Sequence, residues 1–276
     1  MSRQEILAAM RRKVAAGQPI IGGGAGVGLS AKCAEAAGLD FIVIYNSGRY
    51  RMAGRSSMAG LMPYGDANQI VWEMAQETIT VVDSMPVVAG VCGTDPFRVI
   101  PRFLRQLKDL GCAGIQNYPT VCLFDGMIRA NLEETGLGFD KEVELVAEAR
   151  ALDLLTVAYV HSEDEARAMA GAGADAVVAH AGLTTSGTIG ALTALSLDEA
   201  IEFAGRIRDA ANSVNSEGLV FAHGGPIAAP DDAARVLREV PGIHGFLGAS
   251  SMERLPTEVA MTEHMRRFVS LSLGGA

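Results

Sequence analysis

The sequence of 276 residues predicts a single α/β domain folded as a (β/α)8 barrel, or TIM barrel. Three observations support this prediction. Eight short runs rich in Val, Ile and Ala recur along the chain, a longer segment with helical periodicity follows each run, and capping residues mark several helix starts. A closed barrel requires eight parallel strands with a helix after each. Residues 1–276 are therefore expected to form one domain.

The eight predicted strands are apolar runs that end in Gly, Asn, Ser or His, as buried parallel strands do. They begin at Pro19, Phe41, Pro86, Ala113, Leu155, Asp175, Leu219 and His244. An open doubly wound sheet is the alternative, with Gly22–Gly28 as its nucleotide-binding turn. That alternative lacks the acidic residue expected at the end of the second strand, where Asn46 and Ser47 stand.

Local signals indicate the helix starts independently of hydrophobicity. An amphipathic helix from Gln4 to Ala16 precedes the first strand. The segments Ser162–Glu165 and Ser196–Glu199 have the pattern of capping boxes. Three further helix starts are indicated by proline, at Asp95-Pro96, Pro230 and Pro256.

Charge and composition exclude several classes of function. The chain has 23 Lys and Arg against 32 Asp and Glu, a net charge of −9, so it lacks the positive field that attracts nucleic acid or an anionic membrane. No apolar run reaches the roughly 18 residues of a membrane span, and the first residues do not resemble a signal peptide. Four cysteines are too few and too widely spaced for a disulfide framework. We expect a cytoplasmic protein that binds a small molecule, with no nucleic acid and no membrane partner.

Candidate catalytic residues lie where strands end, because the active face of a barrel is at the carboxyl ends of its strands. His161, His180 and His223 end three consecutive strands and should lie side by side. They could transfer protons, stabilise an oxyanion or bind a metal ion, whereas each alone could simply hydrogen bond at the rim. Asn117 ends the fourth strand and is the fourth catalytic candidate. Cys92 ends the third strand and is a candidate nucleophile without an identifiable base.

Candidate binding residues point to an anionic substrate. The loop after the second strand carries Arg49, Arg51 and Arg55, which could bind carboxylate or phosphate or could form salt bridges. Glycine-rich turns follow the seventh and eighth strands, and the long loops 117–140 and 182–190 could close over a ligand. The binding candidates from these patterns are Gly24, Arg49, Arg55, Thr185, Ser186, Gly224, Gly225, Ser250 and Ser251.

Several motifs resemble a known family. The stretches GVCGTDPF, NYPTVCLFDG, LEETGLGF and HAGLTTSGTIGA are similar to those of the phosphoenolpyruvate hydrolase-like TIM-barrel family, also called TIM-barrel signal transduction proteins. The similarity covers nearly the whole chain, and it implies a TIM barrel. Some members of the family carry the name phosphonopyruvate hydrolase and some are fused to regulators. A related domain occurs in a plant protein that inhibits viral RNA replication.

A more distant resemblance is to the isocitrate lyase and phosphoenolpyruvate mutase superfamily. Its members bind a 2-oxo acid with Mg2+ and make or break a C–C or P–C bond through an enolate. The pattern of the superfamily is matched by Ser30-Ala31, by Ala37–Asp40 and by Ser47-Gly48. The resemblance implies that the amides of Ser47 and Gly48 hold the carboxylate of the substrate.

The metal site of that superfamily has no counterpart in this sequence. Its metal-binding aspartates after the third strand fall on Gly90 and Cys92. Its fourth-strand carboxylate falls near Gln116 or Asn117. The resemblance therefore does not carry over the Mg2+ site or the lyase mechanism.

The residues and the resemblance together predict an enzyme, a hydrolase or lyase, that cleaves a C–C or P–C bond of a small anionic 2-oxo or 1,3-dicarbonyl acid. One histidine would act as base, and the others with Asn117 would stabilise the enolate oxygen. This chemistry requires no metal; Mg2+, or a transition metal on the histidines, is the alternative. A non-catalytic barrel that senses a metabolite or nucleotide is the alternative function. A homo-oligomer is expected.

Overall fold

The computed structural model describes residues 1–273, in which eight parallel strands close into a barrel in sequence order. The strands are β1 (Ile20–Gly24), β2 (Phe41–Ile44), β3 (Val87–Val91), β4 (Gly114–Asn117), β5 (Leu155–Val160), β6 (Ala176–His180), β7 (Leu219–His223) and β8 (Gly245–Gly248). β1 pairs with β8, from Ile20 opposite Gly245, and this pairing closes the ring. Each strand begins at the predicted residue or one residue later, so the predicted fold is confirmed.

Helices cover the outside of the barrel, and additional helices lie within its loops. In the described residues they are α1 (Arg3–Ala15), α2 (Gly28–Ala37), α3 (Asn46–Met52), α4 (Ala67–Ile79), α5 (Ile100–Leu110), α6 (Gly126–Glu134), α7 (Asp140–Ala151), α8 (Glu163–Gly171), α9 (Leu197–Asn212), α10 (Pro230–Glu239) and α11 (Arg254–Val269). The capping boxes at Ser162 and Ser196 are confirmed, and Pro230 and Pro256 lie in the first turns of α10 and α11. Over the residues described, no helix combines the length and apolar character needed to cross a membrane.

The helix start predicted at Asp95 and Pro96 is wrong, because α5 begins only at Ile100. Asp95 Oδ1 accepts a hydrogen bond from the backbone N–H of Phe97 at 2.9 Å, and Oδ2 accepts from Asn68 Nδ2 at 2.9 Å. The side chain therefore closes a turn ahead of the helix, which is another common role of Asp.

Helix α1 closes the barrel at the amino ends of the strands. Its Ile6, Leu7 and Met10 are buried. Arg3 forms an ion pair with Asp175, just ahead of β6, at 2.6 Å. The predicted amphipathic helix is thus confirmed, with each end shifted by one residue.

The interior of the barrel changes from apolar to polar along its axis. Phe41 and Phe221 stack in the interior with ring centroids 6.1 Å apart. A Cβ on Gly22 would lie 2.3 Å from the ring of Phe41, so only glycine fits opposite it. Because alternate residues of a strand share a face, His223 follows Phe221 on the inner face of β7. Polar side chains therefore gather at the carboxyl ends of the strands.

Candidate active site

A cavity of about 220 Å³ lies at the carboxyl ends of the strands. Pockets for drug-sized ligands have roughly 300–1,000 Å³, so this cavity suits a smaller molecule. The residues that line it are Tyr45, Ser47, Arg51, Ser57, Met58, Tyr118, Leu123, Tyr159, His161, His180, Gly182, Leu183, Thr184, His223, Ala249 and Ser250. The predicted site residues that meet in the cavity are His161, His180, His223, Ser47 and Ser250.

His223 and Tyr159 form a hydrogen-bonded pair in the cavity wall. His223 Nδ1 donates to the carbonyl of Leu247 at 2.6 Å, since a carbonyl can only accept. Burial lowers the pKa of His223 to about 4, so the ring is neutral at pH 7 and Nε2 carries no proton. Nε2 therefore accepts from the Tyr159 hydroxyl, which lies 3.2 Å away.

His180 carries its proton on the other nitrogen. Its Nδ1 accepts from the backbone N–H of Gly182 at 3.1 Å. Burial, followed by the nearby His223 and His161 rings, lowers the pKa of His180 well below its usual value. The ring is therefore neutral, and Nε2 keeps the proton. Because the His180 and His223 ring centroids are 4.6 Å apart, an N–H donor lies beside a hydrogen-bond acceptor.

His161 lies at the rim of the cavity and is exposed to solvent. Its Nδ1 donates to the carbonyl of His180 at 2.7 Å, and its ring packs on Phe203 with centroids 5.4 Å apart. The three predicted histidines are thus brought together, with two in the wall and one at the entrance.

Arg51 supplies the positive charge of the cavity. Its side chain is 1% exposed, and its Nε and Nη2 both donate to Glu253 Oε2. Burial opposes the charge, but Tyr45 and Glu253 outweigh it and raise the pKa of Arg51, so the guanidinium stays charged. Nη1 does not bond to Glu253, and the guanidinium faces the ring of Tyr45 in the cavity wall.

Ser47 and two tyrosines form the wall beside Arg51. The Ser47 hydroxyl donates to the carbonyl of Ser57 at 2.6 Å, so it accepts from the Tyr118 hydroxyl at 2.5 Å. The rings of Tyr118 and Tyr45 pack with centroids 4.7 Å apart. Burial raises the pKa of Tyr118, which keeps its hydroxyl protonated as a donor.

The backbone amides that the distant resemblance assigns to the carboxylate are already bonded. The Ser47 N–H donates to Asn46 Oδ1 at 2.9 Å, and the Gly48 N–H donates to the carbonyl of Tyr45 at 2.8 Å. Ser47 therefore presents its side chain to the cavity, and Gly48 presents no group to it.

Asn117 does not line the cavity, because it lies on the opposite face of β4 from Tyr118. Its Nδ2 donates to Glu142 Oε2 at 2.6 Å and to the carbonyl of Tyr159 at 3.0 Å, and its Oδ1 accepts from the N–H of Tyr159 at 2.7 Å. Burial raises the pKa of Glu142 to about 7, although hydrogen bonds from Val121, Thr120 and Asn117 oppose the shift. Asn117 thus holds β5, and with it Tyr159, in place.

Two of the predicted arginines and Cys92 lie outside the cavity. Arg49 donates to Glu77 at 3.2 Å on the surface, and Arg55 is exposed. Residues two apart on a helix point to opposite sides, so α3 turns Arg51 inward and Arg49 outward. Burial raises the pKa of Cys92, which keeps its thiol protonated and a poor nucleophile.

The other predicted binding residues surround the cavity without lining it. They are Gly24, Thr185, Ser186, Gly224, Gly225 and Ser251. A Cβ on Gly224 would lie 2.3 Å from the carbonyl oxygen of Gly182, and its φ is +76°, so glycine lets this turn pack on the loop after β6. The Thr185 N–H donates to the carbonyl of Gly225 at 3.1 Å. These residues shape the loops around the cavity.

Sequence reasoning missed the tyrosines Tyr45, Tyr118 and Tyr159 and did not select Arg51 over its neighbours. Strand alternation could have indicated one of them, because Tyr159 lies two residues before His161 and shares its face of β5.

The fold and the cavity define a (β/α)8 barrel with a partly polar cavity at the carboxyl ends of its strands. The chain belongs to the Phosphoenolpyruvate hydrolase-like family, whose profile matches residues 5–271. The resemblance noted in the sequence is therefore confirmed.

Two curated relatives come from Solanum lycopersicum. They are "ToMV susceptible protein tm-1(GCR26)", which is 55% identical over 268 residues, and "ToMV resistance protein Tm-1(GCR237)", which is 55% identical over 271 residues. The matches cover 97% and 98% of this chain and 36% of each relative. This chain thus spans about a third of the length of these relatives.

Solved structures share the fold at low sequence identity. A 2,3-dimethylmalate lyase, described as a PEP mutase/isocitrate lyase superfamily member, has a TM-score of 0.62 at 16% identity, over 100% of this chain and 90% of that one. A phosphonopyruvate hydrolase in complex with oxalate and Mg2+ has a TM-score of 0.60 at 17% identity, over 100% of this chain and 93% of that one. At this identity the likeness establishes the common fold.

The Mg2+ site implied by the distant resemblance does not fit the residues present. In the part of the chain described, no carboxylate lines the cavity, whereas Mg2+ prefers oxygen ligands such as carboxylates. A Cβ on Gly90 would lie 2.5 Å from the Cβ of Tyr45, so Tyr45 occupies the space an aspartate would need. Within residues 1–273, no three His, Cys, Asp or Glu side chains are grouped to hold a metal ion.

Proposed function

We propose that this barrel is an enzyme that cleaves a C–C or P–C bond of a small anionic 2-oxo or 1,3-dicarbonyl acid. Membership of the Phosphoenolpyruvate hydrolase-like family supports the proposal. The cavity adds a small volume, one buried guanidinium and two neutral imidazoles. The ligand that we propose is a small anion, and not nucleic acid or a membrane.

The different proton positions on His180 and His223 are the observation that carries the proposal. The C–C or P–C bond breaks, and the enolate leaves, when a base removes a proton from the attacking water or from the substrate hydroxyl while a donor stabilises the enolate oxygen. The lone pair of His223 Nε2 accepts from the Tyr159 hydroxyl, so in this proposal the base acts through that hydroxyl, which passes its proton to Nε2 as its oxygen takes one from water or substrate; His180 Nε2–H is the donor. In this proposal Arg51 and Ser47 hold the carboxylate. A bound anion favours the imidazolium form, so it raises the pKa of His223 towards that of a working base.

The proposal is tested by incubating the protein with oxaloacetate and phosphonopyruvate and following products by 1H and 31P NMR. We expect pyruvate to form from phosphonopyruvate, or oxaloacetate to be cleaved, and His223→Gln to reduce the rate at least 100-fold. His264→Gln changes an exposed histidine on α11 and is the matched control. An equal rate in His223→Gln, or no turnover of either acid, would contradict the proposal.

A non-catalytic sensor is the second candidate function. It is favoured by the names of the tomato relatives, which refer to ToMV susceptibility and resistance rather than to a reaction. A sensor should gain thermal stability from an oxo acid that is recovered unchanged, whereas an enzyme consumes it.

A further inference from the structure

Glu142 is a buried acid whose hydrogen-bond partners are all uncharged. It lies on α7, and its exposure is 0%. Its Oε2 accepts from Asn117 Nδ2 at 2.6 Å and from the Thr120 hydroxyl at 2.7 Å, and its Oε1 accepts from the N–H of Val121 at 2.7 Å. A buried carboxylate held by neutral donors is costly, so an acid at this position needs a reason.

The first of these contacts connects Glu142 to the strand that carries Tyr159. Besides donating to Glu142, Asn117 Nδ2 donates to the carbonyl of Tyr159 at 3.0 Å, and Asn117 Oδ1 accepts from the N–H of Tyr159 at 2.7 Å. The hydroxyl of Tyr159 lies 3.2 Å from His223 Nε2 in the cavity wall. The carboxylate therefore orients the Asn117 amide, and this amide fixes the backbone from which the Tyr159 hydroxyl reaches His223.

The other two contacts connect Glu142 to the loop after β4. Thr120 and Val121 follow Tyr118 in this loop, and Tyr118 lines the cavity. The ring centroids of Tyr118 and Tyr159 are 6.2 Å apart. One carboxylate thus fixes the backbone of both members of this tyrosine pair.

The arrangement of donors explains why the side chain is an acid. An ionised carboxylate accepts hydrogen bonds at both oxygens, whereas the carboxamide of a glutamine has one acceptor oxygen and one NH2 group that would face a donor. An acid is therefore needed to bind the strand and the loop together. Glu142 does not line the cavity, so its effect on the site is carried by the tyrosines.

We propose that Glu142 is a positioning residue that holds the Tyr159 hydroxyl on His223 Nε2, with Asn117 as the connecting group. The inference rests on the proposed function, in which this hydroxyl passes its proton to His223 Nε2. Misplacement of a reacting group by about 1 Å can reduce a rate about 100-fold, so a residue outside the cavity can control turnover. Glu142 thus affects the rate of the reaction more than the binding of the anion, which Arg51 holds in the proposed function.

The first test is 15N NMR of the histidine rings at pH 8, which is above the pKa of about 7 of Glu142. Tyr159→Phe gives the His223 Nε2 signal in the absence of the hydroxyl. We expect Glu142→Ala to move the His223 signal towards that value and to leave His244, at the opposite end of the barrel, unchanged. Glu142→Gln is the second variant in case Ala does not fold, and Glu144→Gln, exposed on the same helix, is the matched control.

The second test separates the rate of the reaction from binding. Turnover of oxaloacetate and phosphonopyruvate is followed by NMR, and binding of oxalate is measured by calorimetry. We expect kcat to fall about 10- to 100-fold in Glu142→Ala, while the dissociation constant of oxalate changes less than about threefold. Glu144→Gln should leave both quantities unchanged.

Three results would overturn the inference: an unchanged His223 signal in the folded Glu142 variants, an equally large change at His244, or equal losses of kcat and of oxalate affinity. The two proposals fail separately, because the NMR test of the rings needs no substrate. A His223 signal that moves as expected, without turnover of either acid in the unmodified protein, contradicts only the enzyme proposal. Turnover that depends on His223 but not on Glu142 contradicts only the present inference.

Discussion

The imidazoles of His180 and His223 differ in their proton positions because each contacts a different backbone group. A carbonyl faces Nδ1 of His223, whereas an N–H faces Nδ1 of His180. Both rings are buried, and burial lowers both pKa values. The native state therefore excludes protons that the unfolded chain would bind in mildly acidic solution.

Stability should consequently decrease in acid partly through His223. Its native pKa of about 4 lies below the 6.5 of a free imidazole. The contribution of His223 to the free energy of unfolding is complete above pH 6.5. It declines by roughly 3 kcal/mol as the pH falls towards 4. From pH 7 to pH 4.5, we expect the free energy of unfolding of the wild type to fall by more than that of His223→Gln. Urea denaturation at several pH values measures this, and a constant difference would contradict it.

Asn117 illustrates a residue whose role depends on the face of a strand. Its contacts with Glu142 and with the backbone of Tyr159 are structural. We expect Asn117→Ala to lower the free energy of unfolding by about 2–4 kcal/mol, because buried polar groups lose their partner. Chemical denaturation measures the change. A variant with full stability and no turnover would instead support the catalytic role predicted from the sequence.

The histidines could be predicted because they end strands, and the ends of barrel strands are known positions for a site. Arg51 could not be separated from Arg49, because the start of α3 decides which arginine points inward. Gln116 and Asn117 are adjacent in sequence, yet strand alternation turns Gln116 to the inner face of the barrel and Asn117 to the outer face. An error of one residue in the predicted position of a strand exchanges its inward-facing and outward-facing side chains.

At the level of elements, the loop 182–190 is tied to the start of α11. The Thr188 hydroxyl donates to Glu258 Oε1 at 2.6 Å, and Arg254 Nη2 donates to the carbonyl of Ser186 at 3.0 Å. Gly182 and Thr184 of the same loop line the cavity. These contacts hold the loop over the candidate site.

Removing these hydrogen bonds between loop 182–190 and α11 should make the loop more mobile. We expect Glu258→Ala to increase proteolytic cleavage within 182–190 several-fold and to weaken oxalate binding, since a mobile loop orders at an entropic cost. Limited proteolysis followed by mass spectrometry detects the cleavage. Glu263→Ala, on an exposed part of the same helix, is the control, and equal cleavage in the two variants would contradict the prediction.

At the level of the whole molecule, the barrel could be predicted because hydrophobic runs and helical periodicity repeat eight times. The local structure within the loops could not be predicted, since the same short sequence pattern occurs in several kinds of turn and helix start. Asp95-Pro96 closes a turn, and the loop after β4 contains α6. The sequence thus predicts where a site lies more reliably than which side chains enter it.

The exposed face of α11 is apolar. Met261, Met265 and Phe268 recur at helical spacing and are 52%, 56% and 63% exposed. An apolar stripe of this kind is a common interaction surface. We propose that it packs against a second copy, so Met265→Glu with Phe268→Glu should reduce the molecular mass measured by light scattering. Val214→Glu, at an exposed apolar site after α9, is the control; a monomeric wild type would contradict the proposal.

The most direct measurement of the central claim is 15N NMR of the histidine rings at pH 7, with and without oxalate. We expect two neutral buried rings, with the proton on Nδ1 of His223 and on Nε2 of His180, and a change in both signals when oxalate binds. Charged rings, the same proton position on both, or signals that do not respond to oxalate would contradict it.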